Sequence, residues 1–176
     1  MKNTTSMGTL AVILCAICLV TALLLGLVNS VTAEPIAAIN QAKTEAAMNE
    51  VLPAAAYDEL QYTGSDGQIT GIYKAGDAGY VVQVTVSGSQ GMIDMVVGVD
   101  KSGTATGVSI VSMKETAGLG DKAKEPDFRA QFVGTTGSAS VNKDGGEIVA
   151  LTGATVTSRA VTKGVNAAVA AAATMG

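Results

Sequence analysis

Four hydroxyl side chains, Thr152, Thr155, Thr157 and Ser158, crowd a Gly153-Ala154 turn just ahead of a helix-forming tail. The first amides of a helix lack intrahelical acceptors and the helix dipole favours an anion there, so hydroxyls at such a start make a natural phosphate site. One or two of them would cap a helix; the cluster within residues 152–158 is more than capping requires. Gly153 and Ala154 leave room for a bulky ligand to approach the backbone. The plainer alternative is a strand–turn–helix junction with an ordinary Ser/Thr cap. Chemically active side chains are sparse elsewhere. The chain has no His and no Trp, which removes the usual general base and the commonest transition-metal ligand. No catalytic residue and no metal site are expected. Eleven Lys and Arg against fifteen Asp and Glu leave a net charge of −4, the wrong sign for a nucleic-acid footprint. A Cys-x-x-Cys pair can bind metal or do redox chemistry. Cys15 and Cys18, however, lie in an apolar run with no second pair, and read as small packing residues. The rest of the chain is cysteine-free, so no disulfide holds it.

The elements that must position the hydroxyl cluster begin with a membrane anchor. From Gly8 to Ala33 there is no charge, and Leu10 to Val28 is almost wholly apolar; about twenty such residues cross a bilayer core as a helix. Val31-Thr32-Ala33 resembles a signal cleavage site, but the apolar region of a signal is shorter, roughly 7–15 residues, and the run reads as an uncleaved anchor. Lys2 and the terminal amine precede it and Glu34 follows, so the positive-inside rule leaves a short cytoplasmic stub and puts the remainder outside. Pro35 to Leu52 reads as a second helix, with Pro35 in its first turn and Pro53 ending it; whether it continues the span or packs on the domain stays open. Strands follow over Ile69–Lys74, Gly79–Val86, Met92–Val99 and Thr106–Met113, punctuated by turns at Gly88–Gly91 and Asp100–Gly103. They form an antiparallel meander with one buried face. Pro126 to Phe132 is a short helix with Phe128 and Phe132 on one side, and Gly134 to Asp144 is turn-rich. Ile148 to Leu151 reads as a last strand leading into the cluster. From Ser158 to Thr174 a helix carries Val161, Val165 and Val169 toward the sheet, with Arg159 and Lys163 off that stripe.

Thr152 to Val161, Thr-Gly-Ala-Thr-Val-Thr-Ser-Arg-Ala-Val, resembles the flavin attachment signature of the FMN-binding domains of bacterial redox pumps, namely the G subunit of the Rnf complex and the C subunit of the Na⁺-translocating NADH:quinone reductase. A second block, Glu115-Thr116-Ala117-Gly118-Leu119-Gly120, is similar to the family's Glu-Thr-Pro-Gly-Leu-Gly. The strand block also follows the family order, with a Gly-Val-Asp turn at Gly98-Val99-Asp100. Together with the anchor, the resemblance covers nearly the whole chain. It departs from the family pattern at Ala117, where Pro is usual, and at Val149, where many members carry the Asp that a flavin transferase reads. Asp144 and Glu147 are close by but out of register.

The resemblance implies that FMN is joined covalently through its phosphate to Thr155, the second threonine of the motif. Thr157 and Ser158 would hydrogen-bond the phosphate oxygens, with Thr152, Gly153 and Ala154 alongside. Glu115, Thr116, Gly118 and Leu119 would lie against the flavin, the glycines admitting the backbone and Leu119 packing on the ring. The implied fold is α+β: a single N-terminal transmembrane helix, then a small FMN-binding domain with an antiparallel sheet and flanking helices. Its expected divisions are a stub and anchor over 1–33, a membrane-proximal helix over 34–56, and an extracytoplasmic FMN-binding domain over 57–176. The implied function is electron transfer within an Rnf complex that couples ferredoxin:NAD⁺ electron flow to Na⁺ or H⁺ translocation. The chain would be one component of a translocase in a bacterial or archaeal plasma membrane, without independent catalysis. Its partners would be the A, B, C, D and E subunits of the Rnf complex and a flavin transferase using FAD and Mg²⁺. Two alternatives compete: a free-standing anchored flavoprotein for extracellular electron transfer, and a cofactor-free anchored binding module.

Overall fold

Alternating β-branched residues and glycine turns build five antiparallel strands in simple meander order, β1 (Asp58–Leu60), β2 (Ile69–Ala75), β3 (Gly79–Ser87), β4 (Met92–Asp100) and β5 (Ala105–Met113). This is a computed structural model, and it describes residues 7–175; Lys2, on which the orientation reading leaned, lies outside them. The four expected strands are present, and β1 is an addition. It pairs Asp58–Leu60 with Lys74–Ile72, and so short and polar a segment carries no alternation to read. Gly98-Val99-Asp100 is not a turn but the end of β4, with Val99 paired to Ala105 across a register shift.

Strand periodicity separates two buried faces. Val82, Val84 and Val86 pair with Val97, Met95 and Ile93, and these side chains join Val108, Phe128, Phe132, Val141 and Ile148 in the main core. Helix α3 (Thr155–Ala173) covers that face with Val161, Val165, Ala168 and Val169, all buried. Its start lies earlier than the expected Ser158, because Thr155 and Thr157 are themselves helical. The helix lies so close to the sheet that a Cβ on Gly164 would collide with the Met95 Cε. A short helix, α2 (Pro126–Ala130), brings Phe128 and Phe132 into edge-on contact at 5.4 Å, the favoured aromatic arrangement.

The long helix α1 runs unbroken from Met7 to Val51 with Pro35 in its interior rather than at a new start. Proline there lacks the N–H of one helical hydrogen bond, but the helix continues through it. Hydroxyls in the apolar part bond back to their own helix, Thr21 to the Ile17 carbonyl and Thr32 to that of Val28, which satisfies them where no water is available. The described residues form two compact units that divide between Ala42 and Lys43. Within the second unit, Ala47, Met48, Val51 and Leu52 pack on Ala75, Val81 and Val96 of the outer sheet face. Paired glycines make the seat: a Cβ on Gly98 would lie 2.7 Å from the Val51 carbonyl oxygen, and Gly107 faces the same residue.

Ile148–Leu151 is not a sheet strand. Only an isolated parallel bridge joins Val141 to Ile148. Amide side chains hold this segment instead. Gln131 accepts from the Val149 N–H at 2.6 Å and Asn142 accepts from that of Ala150 at 3.2 Å, while Asn166 holds the earlier loop by accepting from and donating to the Ala139 backbone.

Candidate functional site

The two motifs, separated by more than thirty residues of chain, meet at one cavity of about 280 Å³. Glu115, Thr116, Leu119 and Gly120 form one wall, Gly153 to Thr157 the other, and Ser89 of the β3–β4 turn closes an end. The glycines have conformational reasons to be there. Gly153 and Gly118 sit at φ +78° and +74°, a region that side chains resist, and Leu119 packs against Gly153, whose Cβ would lie 3.0 Å from Leu119 Cδ2.

The four hydroxyls divide sharply. Ser158 is fully buried; it donates to the Ala154 carbonyl at 2.9 Å and accepts from the Leu151 N–H at 3.0 Å. It therefore closes the turn from inside and does not line the cavity, contrary to the expected phosphate contact. Thr157 is also buried and donates to Glu115 Oε2 at 2.8 Å. Thr152 is exposed and lies outside the cavity lining. Thr155, the first residue of α3, lines the cavity, and its hydroxyl makes no hydrogen bond to the protein among the described residues. The residue preceding it, Ala154, caps α3 without a side-chain hydrogen bond, so the Thr155, Val156 and Thr157 amides lie at an uncapped helix start beside that free hydroxyl.

Glu115 lines the cavity with its carboxylate engaged by the protein. Its Oε1 accepts from the Ser89 and Gln90 amides at 2.8 and 3.1 Å, while Oε2 takes the Thr157 hydroxyl. The carboxylate is turned into the protein. Thr116 lines the cavity and its carbonyl accepts from the Leu119 amide at 3.1 Å, whereas Gly118 lies outside the lining. Leu119 and Val156 are 43% and 53% exposed, an apolar rim beside the polar helix start. Gly120 and Val156 line the cavity as members of the two motifs, and Ser89 is the lining residue outside both; the Gly88–Gly91 segment reads only as a turn, and nothing local marks Ser89. Val149 is exposed. Asp144, the nearby acid, is taken by Arg159, whose Nε donates at 2.7 Å; that guanidinium holds the Asp144 carboxyl below its ordinary range. A larger depression of about 760 Å³ over residues 131–148 contains none of the predicted site residues.

These groups suit a flavin nucleotide. Unpaired amides and a free hydroxyl are groups that could take a phosphate, and the Leu119–Val156 rim is apolar surface that could take a ring. The fold and site thus define a membrane-anchored domain of the flavin-carrying kind. Residues 88–170 match the FMN-binding domain family and residues 1–51 the RnfG N-terminal region. The chain is 35% identical to the G subunit of the ion-translocating oxidoreductase complex of Methanosarcina acetivorans, over 85% of this chain and 86% of that protein. It is also 35% identical to the G subunit of the Na⁺-translocating ferredoxin:NAD⁺ oxidoreductase complex of Acetobacterium woodii, over 89% and 87%. A crystal structure of the C subunit of the Na⁺-translocating NADH-quinone reductase from Parabacteroides distasonis shares the fold, with a TM-score of 0.52 at 19% identity over 74% of this chain and 80% of that one. The chain belongs to the G-subunit family of Rnf-type ion-translocating oxidoreductase complexes.

Proposed function

We propose that this chain carries FMN as a phosphoester on Thr155 and serves as the electron-transfer component of an Rnf-type complex, with its folded domain outside the cytoplasm. The observation that carries the reading is the free Thr155 hydroxyl at an uncapped helix start, facing the second motif across one cavity. The inward hydrogen bonds of the Thr157 and Ser158 hydroxyls support Thr155 over its neighbours as the acceptor. Attachment forms a bond from Thr155 Oγ1 to the flavin-side phosphorus of FAD and breaks the diphosphate bridge. AMP leaves, and the threonine proton passes to solvent. When bound, FMN supplies the redox chemistry. The chain's own residues do the rest: the Thr155–Thr157 amides would hold the phosphate, and Leu119 and Val156 would cover part of the ring. A cavity of about 280 Å³ falls just short of the roughly 300–1,000 Å³ of closed small-molecule sites. The flavin would stay partly exposed, as suits a carrier that must approach a donor and an acceptor. Helix α1 is long and apolar enough to cross a membrane, its most apolar stretch averaging a hydropathy of 3.0, and anchors the chain. The relative from Acetobacterium woodii is named for Na⁺ translocation and that from Clostridium ljungdahlii for proton translocation, so membership of the family leaves the coupling ion open.

The test is the full-length chain co-expressed with a flavin transferase and resolved on a denaturing gel. A fluorescent band is expected, with a mass increase of one FMN less one water. Thr155→Ala removes both. A dark parental band, or a fluorescent Thr155→Ala band, overturns the assignment. Protease access from the outer face of intact cells to the domain beyond Lys43 tests sidedness.

A further inference from the structure

Building on the Thr155 reading, we propose that Glu115 is not a flavin ligand but a positioning residue, which clamps the first turn of α3 so that Thr155 alone stays open to modification. One carboxylate ties together segments far apart in sequence. Oε1 accepts two amides of the β3–β4 turn, Ser89 at 2.8 Å and Gln90 at 3.1 Å, and Oε2 accepts the Thr157 hydroxyl at 2.8 Å. Hydrogen bonds to an ionised acceptor are the short, strong kind. Thr157 lies two residues beyond Thr155 in the same turn of α3, so fixing its side chain pins the backbone turn from which Thr155 projects.

Two glycines keep the space for this clamp. A Cβ on Gly88 would collide with Glu115 Oε1, and one on Gly120 would lie 2.7 Å from Oε2 and 3.0 Å from Thr157 Oγ1. Gly120, the last residue of the second motif, is therefore accounted for by the carboxylate beside it. The arrangement also explains the missing cap. A Ser or Thr at the cap position would turn its oxygen onto the amides of the second or third helical residue, covering the groups a phosphate needs. Ala154 leaves them open, and the hydroxyl of Thr157, pulled sideways by Glu115, holds the turn instead.

The experiment measures flavin transfer to the purified full-length chain in detergent, with transferase, FAD and Mg²⁺, scored by in-gel fluorescence per folded protein. Thr157→Val and Glu115→Ala are each expected to lower the transfer rate by about tenfold or more, since a small misplacement of a reacting group is costly, with the KM for FAD unchanged. Thr157→Ser restores the rate. The double variant is no slower than Glu115→Ala alone, because that variant already removes the bond to Thr157. Phe128→Leu, a core change that lowers thermal stability away from the clamp, is transferred at the parental rate. Should Thr157→Val fail to fold, Thr157→Ala removes the same hydroxyl without a branched replacement, and slow transfer is again expected. Parental rates in Thr157→Val and Glu115→Ala, or in Thr157→Ala, overturn the clamp while leaving Thr155 as the acceptor. Multiplicative slowing in the double variant overturns it too. A parental chain that takes up no flavin overturns the Thr155 reading and the clamp together.

Discussion

The two faces of the sheet are held by different physics. The inner face is an apolar contact in depth: α3 lays Val161, Val165, Ala168 and Val169 on Val82, Val84, Val86 and Met95, with the Phe128–Phe132 pair at one edge. Each fully buried side chain of this kind contributes about 1.5–3 kcal/mol. The outer face buries only Ala47, Met48, Val51 and Leu52 against Ala75, Val81 and Val96 and is pinned by directional bonds. Thr106 donates to the Val51 carbonyl at 2.6 Å, Tyr57 to that of Leu52 at 2.9 Å, and Glu50 accepts from Ser109 at 2.5 Å and from Arg129 at 2.7 Å. Apolar packing supplies most of the free energy and tolerates some sliding. Hydrogen bonds add little net stability, about 0.5–1.5 kcal/mol each, but fix direction. The inner face thus sustains the domain, and the outer face fixes the register of residues 47–52 on the sheet.

Three substitutions break or sharpen that contrast. Phe132→Ala, on the inner face, is expected to destabilise the domain most, by about 3–5 kcal/mol, read as a lower urea midpoint for the full chain in detergent. A loss below about 1 kcal/mol would put the main stability elsewhere. Gly98→Val, on the outer face, forces a side chain against the Val51 carbonyl and Thr106 Oγ1. It should cost about 1–3 kcal/mol and, unlike Phe132→Ala, speed amide exchange selectively over residues 47–52. Glu50→Gln should have the smallest effect, visible mainly in its pH dependence. The Ser109 hydroxyl, then Arg129, hold the Glu50 carboxyl below its ordinary value of 4.5. The folded form therefore favours the carboxylate, so this contribution is present above about pH 4.5 and lost as pH falls through the lowered folded value. Because the side chain is half exposed, the gain is small. The stability gap between parent and Glu50→Gln should close on acidification; a gap that stays constant with pH would remove Glu50 from the pins.

Much of this was legible in the chain. The apolar run, the four long strands, their turns and the valine stripe of α3 follow from local periodicity, which depends on near neighbours alone. Whether the Pro35–Leu52 helix continues the apolar run is open in the sequence; it does continue, because a proline costs a helix one hydrogen bond without forbidding it to go on. The strand expected at Ile148–Leu151 fails because an apolar run needs a sheet edge to pair with, and here the side chains of Gln131 and Asn142 take its amides. Strand β1 carries too few residues for any period to register.

The site divides the same way. Its two motifs, their order and the threonine cluster stand in the sequence by themselves, since each is a local pattern of residue types. Which hydroxyl is free does not. Thr155, Thr157 and Ser158 have nearly the same chemistry and adjacent positions, and what separates them is what lies opposite. The Leu151–Ala154 backbone faces Ser158, the Glu115 carboxylate faces Thr157, and the open cavity faces Thr155. Glu115 reaches Ser89 across 26 residues and Thr157 across 42. Those partners are brought within bonding distance only when α3 packs on the sheet, because a hydrogen bond reports the position of two groups in space, and local sequence specifies only one of them.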